Sequence, residues 1–229
     1  TADAVRDEKL KVLRALRPLT GHEVLEKTVR AQYLAGSDSS SYVDEAENPS
    51  SKTECYVAIE AEIENWRWAG VPFYLRTGKK LRSQVTEIAI VFKKPPHLVF
   101  GDLSTPISNN VLSIRLQPDE GLELELMTKE PGPGGFRLHS TPLDVAFAEE
   151  HQIGRMPDAY ERLLMDVVRG DQTLFMRGDE VEAAWEWIDP IMDSWDRSGT
   201  KPETYDSNSE GPIASVEMMA RSGRRWRKI

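Results

Sequence analysis

The sequence predicts an α+β fold in which a large, mostly antiparallel β-sheet has helices packed on one face. Segments with strand character follow one another through the middle of the chain and are separated only by short turns. Helical periodicity is confined to the two ends of the chain. Because strands and helices do not alternate, the sequence disfavours a doubly wound parallel sheet.

The first third of the chain begins with an amphipathic helix. Apolar residues recur between Val5 and Leu16 among charged side chains, with Asp3 placed to cap the helix and Pro18 to stop it. Residues 24–33 alternate in the manner of a strand, and the polar stretch 36–53 is typical of a surface loop. Five further strands are predicted at residues 56–63, 71–76, 85–92, 111–117 and 122–128.

The last third of the chain has helical spacing again. Helices are predicted at residues 157–168, 178–195 and 213–221, and Pro190 is a candidate kink in the second of them. The apolar stripe of that helix is predicted to include Trp185. Trp187 lies two residues further on and cannot share the same helix face, so one of the two rings is expected to face a subunit partner.

The composition narrows the classes of function. With 29 basic and 38 acidic residues, the net charge of −9 argues against nucleic acid as a partner. No run approaches the roughly 18 apolar residues of a membrane helix, so we expect no membrane partner and no leader peptide. Cys55 is the only cysteine, which excludes an internal disulfide and fits a cytoplasmic protein.

The residues reveal no catalytic constellation. The sequence contains no Gly-rich dinucleotide turn after a strand, no phosphate loop ending in Gly-Lys-Ser/Thr and no His-Glu-x-x-His motif. The histidines are scattered without the pairing of metal ligands, at His22, His97, His139 and His151. We therefore predict no catalytic residue and no metal site in this chain.

One run combines large rings with positive charge. Trp66 and Trp68 lead through Phe73 and Tyr74 into a turn that contains Lys79, with further cations at Arg76, Lys80 and Arg82. A rigid apolar wall followed by cationic donors would suit a small anionic ligand. A core strand that ends in a solvated basic turn is the alternative interpretation.

This run, IENWRWAGVPFYLRTGKKL at residues 63–81, closely resembles the C-terminal domain of the glucose-6-phosphate dehydrogenase family. Four further segments resemble the family in the same order: DEKLKVLRAL at 7–16, VRAQY at 29–33 followed by Gly36, LSIRLQP at 112–118 and PDAYERLL at 157–164. The resemblance covers essentially the whole chain. It implies one C-terminal substrate-binding and dimerisation domain over residues 1–229, with a linking helix in 1–18 and a helical part in 157–229.

The resemblance also implies an activity. The complete enzyme of this family oxidises C1 of glucose 6-phosphate by hydride transfer to NADP and gives the 6-phosphogluconolactone. Neither the family's Rossmann domain with its Gly-rich NADP turn nor its Arg-Ile-Asp-His-Tyr-Leu-Gly-Lys-Glu motif, which supplies the catalytic His, occurs in this chain. We therefore expect the chain alone to be inactive and to assemble through its sheet as a homodimer or tetramer. The alternative is a stand-alone, non-catalytic assembly module that retains this sheet.

Two site residues follow from the resemblance. Lys79 matches the lysine of Arg-Thr-Gly-Lys that binds the sugar phosphate. Gln84 occupies the position of a second basic residue; its amide can donate a hydrogen bond but carries no charge, so Lys80 or Arg82 is an alternative source of that contact.

The resemblance predicts no structural NADP on this domain, although some relatives carry one. Arg76, Arg115, Gln117 and Trp226 match positions used for it. However, Glu123 and Glu125 replace aromatic and basic residues on the neighbouring strand, and Val85 and Ala89 replace two further basic residues. Carboxylates repel a dinucleotide phosphate, and most strongly in a dry site.

Overall fold

The computed structural model describes residues 1–37, 39–97, 107–133, 137–147 and 159–228. These residues form the helices α1 (Ala2–Arg14), α2 (His22–Lys27), α3 (Tyr42–Glu45), α4 (Ala159–Arg169), α5 (Gly178–Ser198) and α6 (Ile213–Arg221). They form the strands β1 (Thr28–Tyr33), β2 (Tyr56–Glu62), β3 (Pro72–Gly78), β4 (Thr86–Val91), β5 (Val111–Gln117), β6 (Gly121–Lys129), β7 (Leu138–Ala146) and β8 (Glu203–Tyr205). Two units can be distinguished: the first contains residues 1–83 and 158–228, and the second contains residues 84–157.

The first unit is built on a four-stranded sheet in the order β3-β2-β1-β8. The pairs β1–β2 and β2–β3 are antiparallel, and β8 pairs with β1 in parallel. One face, with Ile59 and Ala61, packs against apolar residues of α2 and α5. The other face, with Val29 and Ala58, packs against Met218 of α6. Helices therefore cover both faces of this sheet, whereas the sequence predicted helices on one face.

Helix α5 packs through a stripe that recurs at intervals of four residues. Its buried apolar residues are Ala183, Trp187, Ile191 and Trp195. The indole N–H of Trp187 donates to the carbonyl of Arg17 at 2.9 Å. Trp185 is 53% exposed, so the prediction that it belongs to the buried stripe is wrong and Trp187 takes that place. The helix runs without a break through Pro190.

The second unit contains an antiparallel sheet in the order β4-β5-β6-β7. Strand register places apolar side chains opposite one another on one face: Ile88, Ile90, Leu112, Ile114, Leu122, Leu124, Leu143 and Val145. The opposite face carries Glu123, Glu125 and Asp144 beside Ser113. The sheet therefore has one apolar face and one face that carries carboxylates, because side chains alternate along each strand with a period of two.

The predicted α+β class with mostly antiparallel strands is confirmed, but the strands are divided between two sheets of four instead of forming one large sheet. Strand β5 and helix α6 have the predicted bounds. Strand β7 was not predicted; it contains Pro142, which is tolerated because β7 lies at the edge of its sheet. The three-residue strand β8 was also not predicted.

Two predictions at the start of the chain are wrong. Residues 24–33 are not one strand, because α2 continues to Lys27 before β1 begins. Val24 is fully buried, and its carbonyl accepts a hydrogen bond from the hydroxyl of Thr28, four residues later, at 2.5 Å. The cap of α1 is Thr1 and not Asp3, since the Thr1 hydroxyl accepts from the N–H of Ala4.

The described helices include none that is both long enough and apolar enough to cross a membrane. The predicted helix 157–168 appears as α4 from residue 159 onwards. Its predicted start at Pro157 and Asp158 lies outside the described residues, as does His151.

Candidate functional site

Lys79 begins the turn that follows β3, and its backbone is bonded on both sides. Its N–H donates to the carbonyl of Cys55 at 2.8 Å, and its carbonyl accepts from the hydroxyl of Tyr205 at 2.7 Å. The side chain is exposed, and among the described residues its ammonium group has no hydrogen-bond or ion-pair partner. A fixed backbone that presents an unpaired cation to solvent is suited to binding an anion.

The side chain of Lys80 is held by contacts within the fold. Its ammonium pairs with the carboxylate of Glu45 and lies 4.5 Å from the ring centroid of Tyr33. This pairing, together with the hydrogen bond from Tyr33, holds the pKa of Glu45 below its usual value. The backbone of Lys80 has a φ of 48°. Of the adjacent lysines, only Lys79 is available to a ligand.

Two glycines allow the ring of Tyr56 to pack beneath this turn. A Cβ at Gly78 would lie 2.7 Å from Cδ2 of Tyr56, and one at Gly211 would lie 2.6 Å from its Cε2. Tyr56 is fully buried between them and contacts the ring of Tyr205 with 5.6 Å between centroids. The glycine of the Arg-Thr-Gly-Lys motif is therefore required by close packing directly before Lys79.

The rings of the β2–β3 turn do not form a wall beside Lys79, so that interpretation of the sequence is wrong. Trp66 is fully exposed, and Trp68 packs on Phe73 with 5.5 Å between centroids. Both tryptophans precede β3, whereas Lys79 follows it, and seven strand residues span roughly 23 Å at about 3.3 Å per residue. The tryptophans and Lys79 are close in sequence and were expected to be close in space. The extended strand β3 separates them.

The rings behind the Lys79 turn are Tyr33, Tyr56 and Tyr205, which sequence analysis did not identify. They come from β1, β2 and β8, and the Tyr33 and Tyr205 rings meet edge-on at 6.4 Å. No local pattern links residues so far apart in the chain. Finding them would have required knowing that β1 pairs with β8.

Gln84 and Arg82 are both exposed and follow the turn. The N–H of Arg82 donates to the carbonyl of Ser209 at 2.9 Å. Gln84 is the first residue of the second unit, and its side chain makes no hydrogen bond within the described ranges. Its contact with substrate stays a prediction.

Arg76 and Trp226, two positions associated with a structural NADP, bind each other. The guanidinium of Arg76 lies 5.0 Å from the Trp226 ring centroid, donates to the carbonyl of Arg227 at 2.9 Å and lies 3.7 Å from Glu210. In the second unit, Arg115 forms an ion pair with Asp144 at 2.7 Å. These cations are engaged by side chains and carbonyls of the chain itself.

The described part of the chain contains no cluster of His, Cys, Asp and Glu that could hold a metal ion. Burial raises the pKa of the Cys55 thiol, which opposes formation of a reactive thiolate.

Comparisons with known proteins agree on one family. A model described as "Glucose-6-phosphate dehydrogenase, C-terminal domain" matches residues 1–227. The chain is 55% identical to a glucose-6-phosphate 1-dehydrogenase of Rhizobium meliloti, over 98% of this chain and 46% of that protein. It is 50% identical to that of Mycolicibacterium smegmatis, again over 98% of this chain and 46% of that protein.

Solved structures agree in fold. A glucose-6-phosphate dehydrogenase in complex with its substrate glucose-6-phosphate has a TM-score of 0.84 at 33% identity and covers 99% of this chain and 46% of its own. The enzyme from Mycobacterium avium has a TM-score of 0.80 at 33% identity, over 100% of this chain and 45% of its own. The chain thus spans somewhat less than half the length of these relatives. It belongs to the glucose-6-phosphate dehydrogenase family, whose C-terminal domain it matches.

Proposed function

We propose that residues 1–229 form a single C-terminal domain that binds substrate and assembles subunits in an NADP-dependent glucose-6-phosphate dehydrogenase. In the reaction, C1 of glucose 6-phosphate loses a hydride to the nicotinamide and its hydroxyl loses a proton to a base, which gives 6-phosphogluconolactone. Identity of 55% to a glucose-6-phosphate 1-dehydrogenase supports this assignment. The base and most of the NADP site are expected outside this chain, which therefore has no activity by itself, and the enzyme is expected in the cytoplasm.

The observation that carries the proposal is the environment of Lys79. Its ammonium is exposed and unpaired among the described residues, while the neighbouring Lys80 is bound to Glu45. A lysine acts on a phosphate as a compact point charge with several donors. We assign Lys79 to the phosphate of glucose 6-phosphate and Gln84 to a weaker contact through its uncharged amide.

The test is Lys79→Ala in the full-length enzyme. Loss of a charge-assisted hydrogen bond costs about 1.5–3 kcal/mol, which corresponds to roughly a 10- to 150-fold fall in kcat/KM for glucose 6-phosphate. An unchanged kcat/KM would remove Lys79 from the site.

Parallel rates with NADP and NAD test the cofactor preference of the full-length enzyme. The isolated chain should show no turnover with either cofactor.

We further propose that this domain binds no structural NADP. Support comes from the internal partners of Arg76 and Arg115 and from Glu123 and Glu125 on the strand beside Arg115. Calorimetric titration of the isolated chain with NADP should give no heat of binding. Micromolar affinity would contradict the proposal.

Subunit assembly is proposed through the apolar face of the second sheet. Leu143 is 55% exposed and Ile88 is 50% exposed on this face, whereas Ser113 on the polar face is 1% exposed. An exposed apolar sheet face is typical of a protein–protein interface. Assembly as a homodimer or a tetramer would bury this apolar face.

The alternative function is a stand-alone assembly module without catalysis, and the same apolar face favours it. The two functions differ in what the complete reading frame encodes. A Rossmann segment and a His-Tyr-Leu-Gly-Lys motif upstream of Thr1 would support the enzyme, and a start codon directly before Thr1 would support the module.

A further inference from the structure

The turn that carries Lys79 is held from outside by residues 205–209, which we call the clamp segment. The Tyr205 hydroxyl donates to the carbonyl of Lys79 at 2.7 Å. The N–H of Asn208 donates to the carbonyl of Lys80 at 2.8 Å. Residues from the far end of the chain thus bond to consecutive carbonyls of the turn.

Tyr205 is itself immobilised. Its side chain is 3% exposed, and its ring packs against those of Tyr33 and Tyr56. Its backbone belongs to β8, and its carbonyl accepts from the N–H of Leu34 at 2.8 Å. A tyrosine hydroxyl is protonated at neutral pH and can donate, and burial raises the pKa of Tyr205 further above its ordinary value.

The turn needs such support because its conformation is unfavourable. Lys80 is a non-glycine residue with a φ of 48°, in the left-handed region that L-residues avoid. A residue keeps such a conformation only where surrounding contacts enforce it. The clamp segment bonds to the carbonyls on either side of this φ, those of Lys79 and Lys80, and so helps to hold the turn.

We propose that Tyr205 is a positioning residue for substrate binding. Its hydroxyl fixes the carbonyl of Lys79 and hence the point on the backbone from which the ammonium reaches the sugar phosphate. The inference rests on the proposed phosphate contact of Lys79. Without the hydroxyl, part of the binding free energy is spent on ordering the turn, since preorganisation lowers the cost of binding.

The test is Tyr205→Phe in the full-length enzyme, which retains the ring and removes only the donor. Loss of one hydrogen bond predicts a rise of about 3- to 10-fold in KM for glucose 6-phosphate, with kcat changed less than about twofold. Tyr42→Phe is the matched control. Its ring packs on Tyr33 in the same cluster, but its hydroxyl contacts Ser51 instead of the Lys79 turn. The control should leave KM unchanged.

A double-mutant cycle separates positioning from a general structural effect. In the Lys79→Ala background, Tyr205→Phe should raise KM no further, because the group that it positions is gone. Hydrogen exchange at the amides of residues 79–81 should also accelerate in Tyr205→Phe and stay unchanged in Tyr42→Phe.

The outcomes discriminate between the two proposals. If Lys79→Ala raises KM while Tyr205→Phe leaves KM and exchange unchanged, the positioning role is overturned and the phosphate contact stands. An equal effect of Tyr205→Phe with and without Lys79 also overturns positioning. If Lys79→Ala leaves KM unchanged, the phosphate contact itself fails, and the inference fails with it.

Discussion

At the scale of single residues, the proposed site depends on a lysine side chain that has no ion-pair partner among the described residues. Lys79 and Lys80 are adjacent and chemically identical, yet within the described part of the chain only Lys80 has a carboxylate partner, Glu45. The difference arises from the turn, in which Lys80 adopts positive φ and directs its side chain toward Glu45 and Tyr33. Local backbone conformation therefore decides which of two lysines serves the fold and which can serve a ligand.

Replacing Gly78 tests the packing beneath Lys79. In Gly78→Ala, the new methyl group would lie 2.7 Å from Tyr56, whose other side is closed by Gly211. Because the ring has no room to move, we expect a loss of about 1–3 kcal/mol in the free energy of unfolding, measured by urea denaturation.

The matched control is Gly178→Ala. Gly178 begins α5, and a Cβ there would meet no atom within 4 Å. Since alanine favours helix, this variant should be unchanged or more stable by up to about 1 kcal/mol. Equal stability of both variants would contradict the account of Tyr56 packing.

At the scale of elements, α5 shows what periodicity can and cannot establish. The sequence predicted the helix and predicted that one of Trp185 and Trp187 points away from the core, and the structure confirms both. It did not establish which one, because the two residues have similar chemistry and only the packing partners distinguish them. The indole N–H of Trp187 donates to the carbonyl of Arg17, a residue outside the helix, and this contact holds Trp187 on the buried side.

Truncation of the tryptophans of α5 provides a direct comparison. Trp195 is buried, donates to the hydroxyl of Thr28 at 2.8 Å and lies 5.4 Å from the guanidinium of Arg30. Trp195→Ala should cost about 3–5 kcal/mol in the free energy of unfolding. Trp185→Ala, at an exposed site of the same helix, should change it by less than about 0.5 kcal/mol in a monomeric state. A comparable loss in both would contradict the assigned stripe.

The sequence located Lys79 through a local run of residues, and it located most strands through their periodicity. It could not reveal the clamp segment, since Tyr205 lies 126 residues from Lys79 and meets it only through the parallel pairing of β1 with β8. It also misjudged Trp66 and Trp68, because a short distance along the chain becomes a long distance along an extended strand. Local sequence patterns do not predict contacts between segments that are distant in the chain.

At the scale of the whole molecule, the two sheets differ in how their faces are covered. The first sheet has helices on both faces, so its β1 is buried almost throughout. The second sheet leaves Ile88, Ile90, Leu143 and Val145 exposed on its apolar face. An apolar surface of this kind favours association of subunits.

Leu143→Lys tests this assembly in the full-length protein. A charge on this apolar face should weaken self-association at least about tenfold, as measured by sedimentation equilibrium. Val91→Lys is the matched control, since Val91 is 61% exposed on the opposite face of the same sheet. If Leu143→Lys associates as wild type does, or if both variants dissociate equally, this face is not the interface.

One kinetic comparison shows whether Lys79 binds the phosphate of glucose 6-phosphate. In the full-length enzyme, kcat/KM for glucose 6-phosphate is measured for wild type, Lys79→Ala and Lys201→Ala, an exposed lysine in the loop after α5. The phosphate contact predicts a fall of roughly 10- to 150-fold for Lys79→Ala and no change for Lys201→Ala. Equal kcat/KM values for wild type and Lys79→Ala would contradict it.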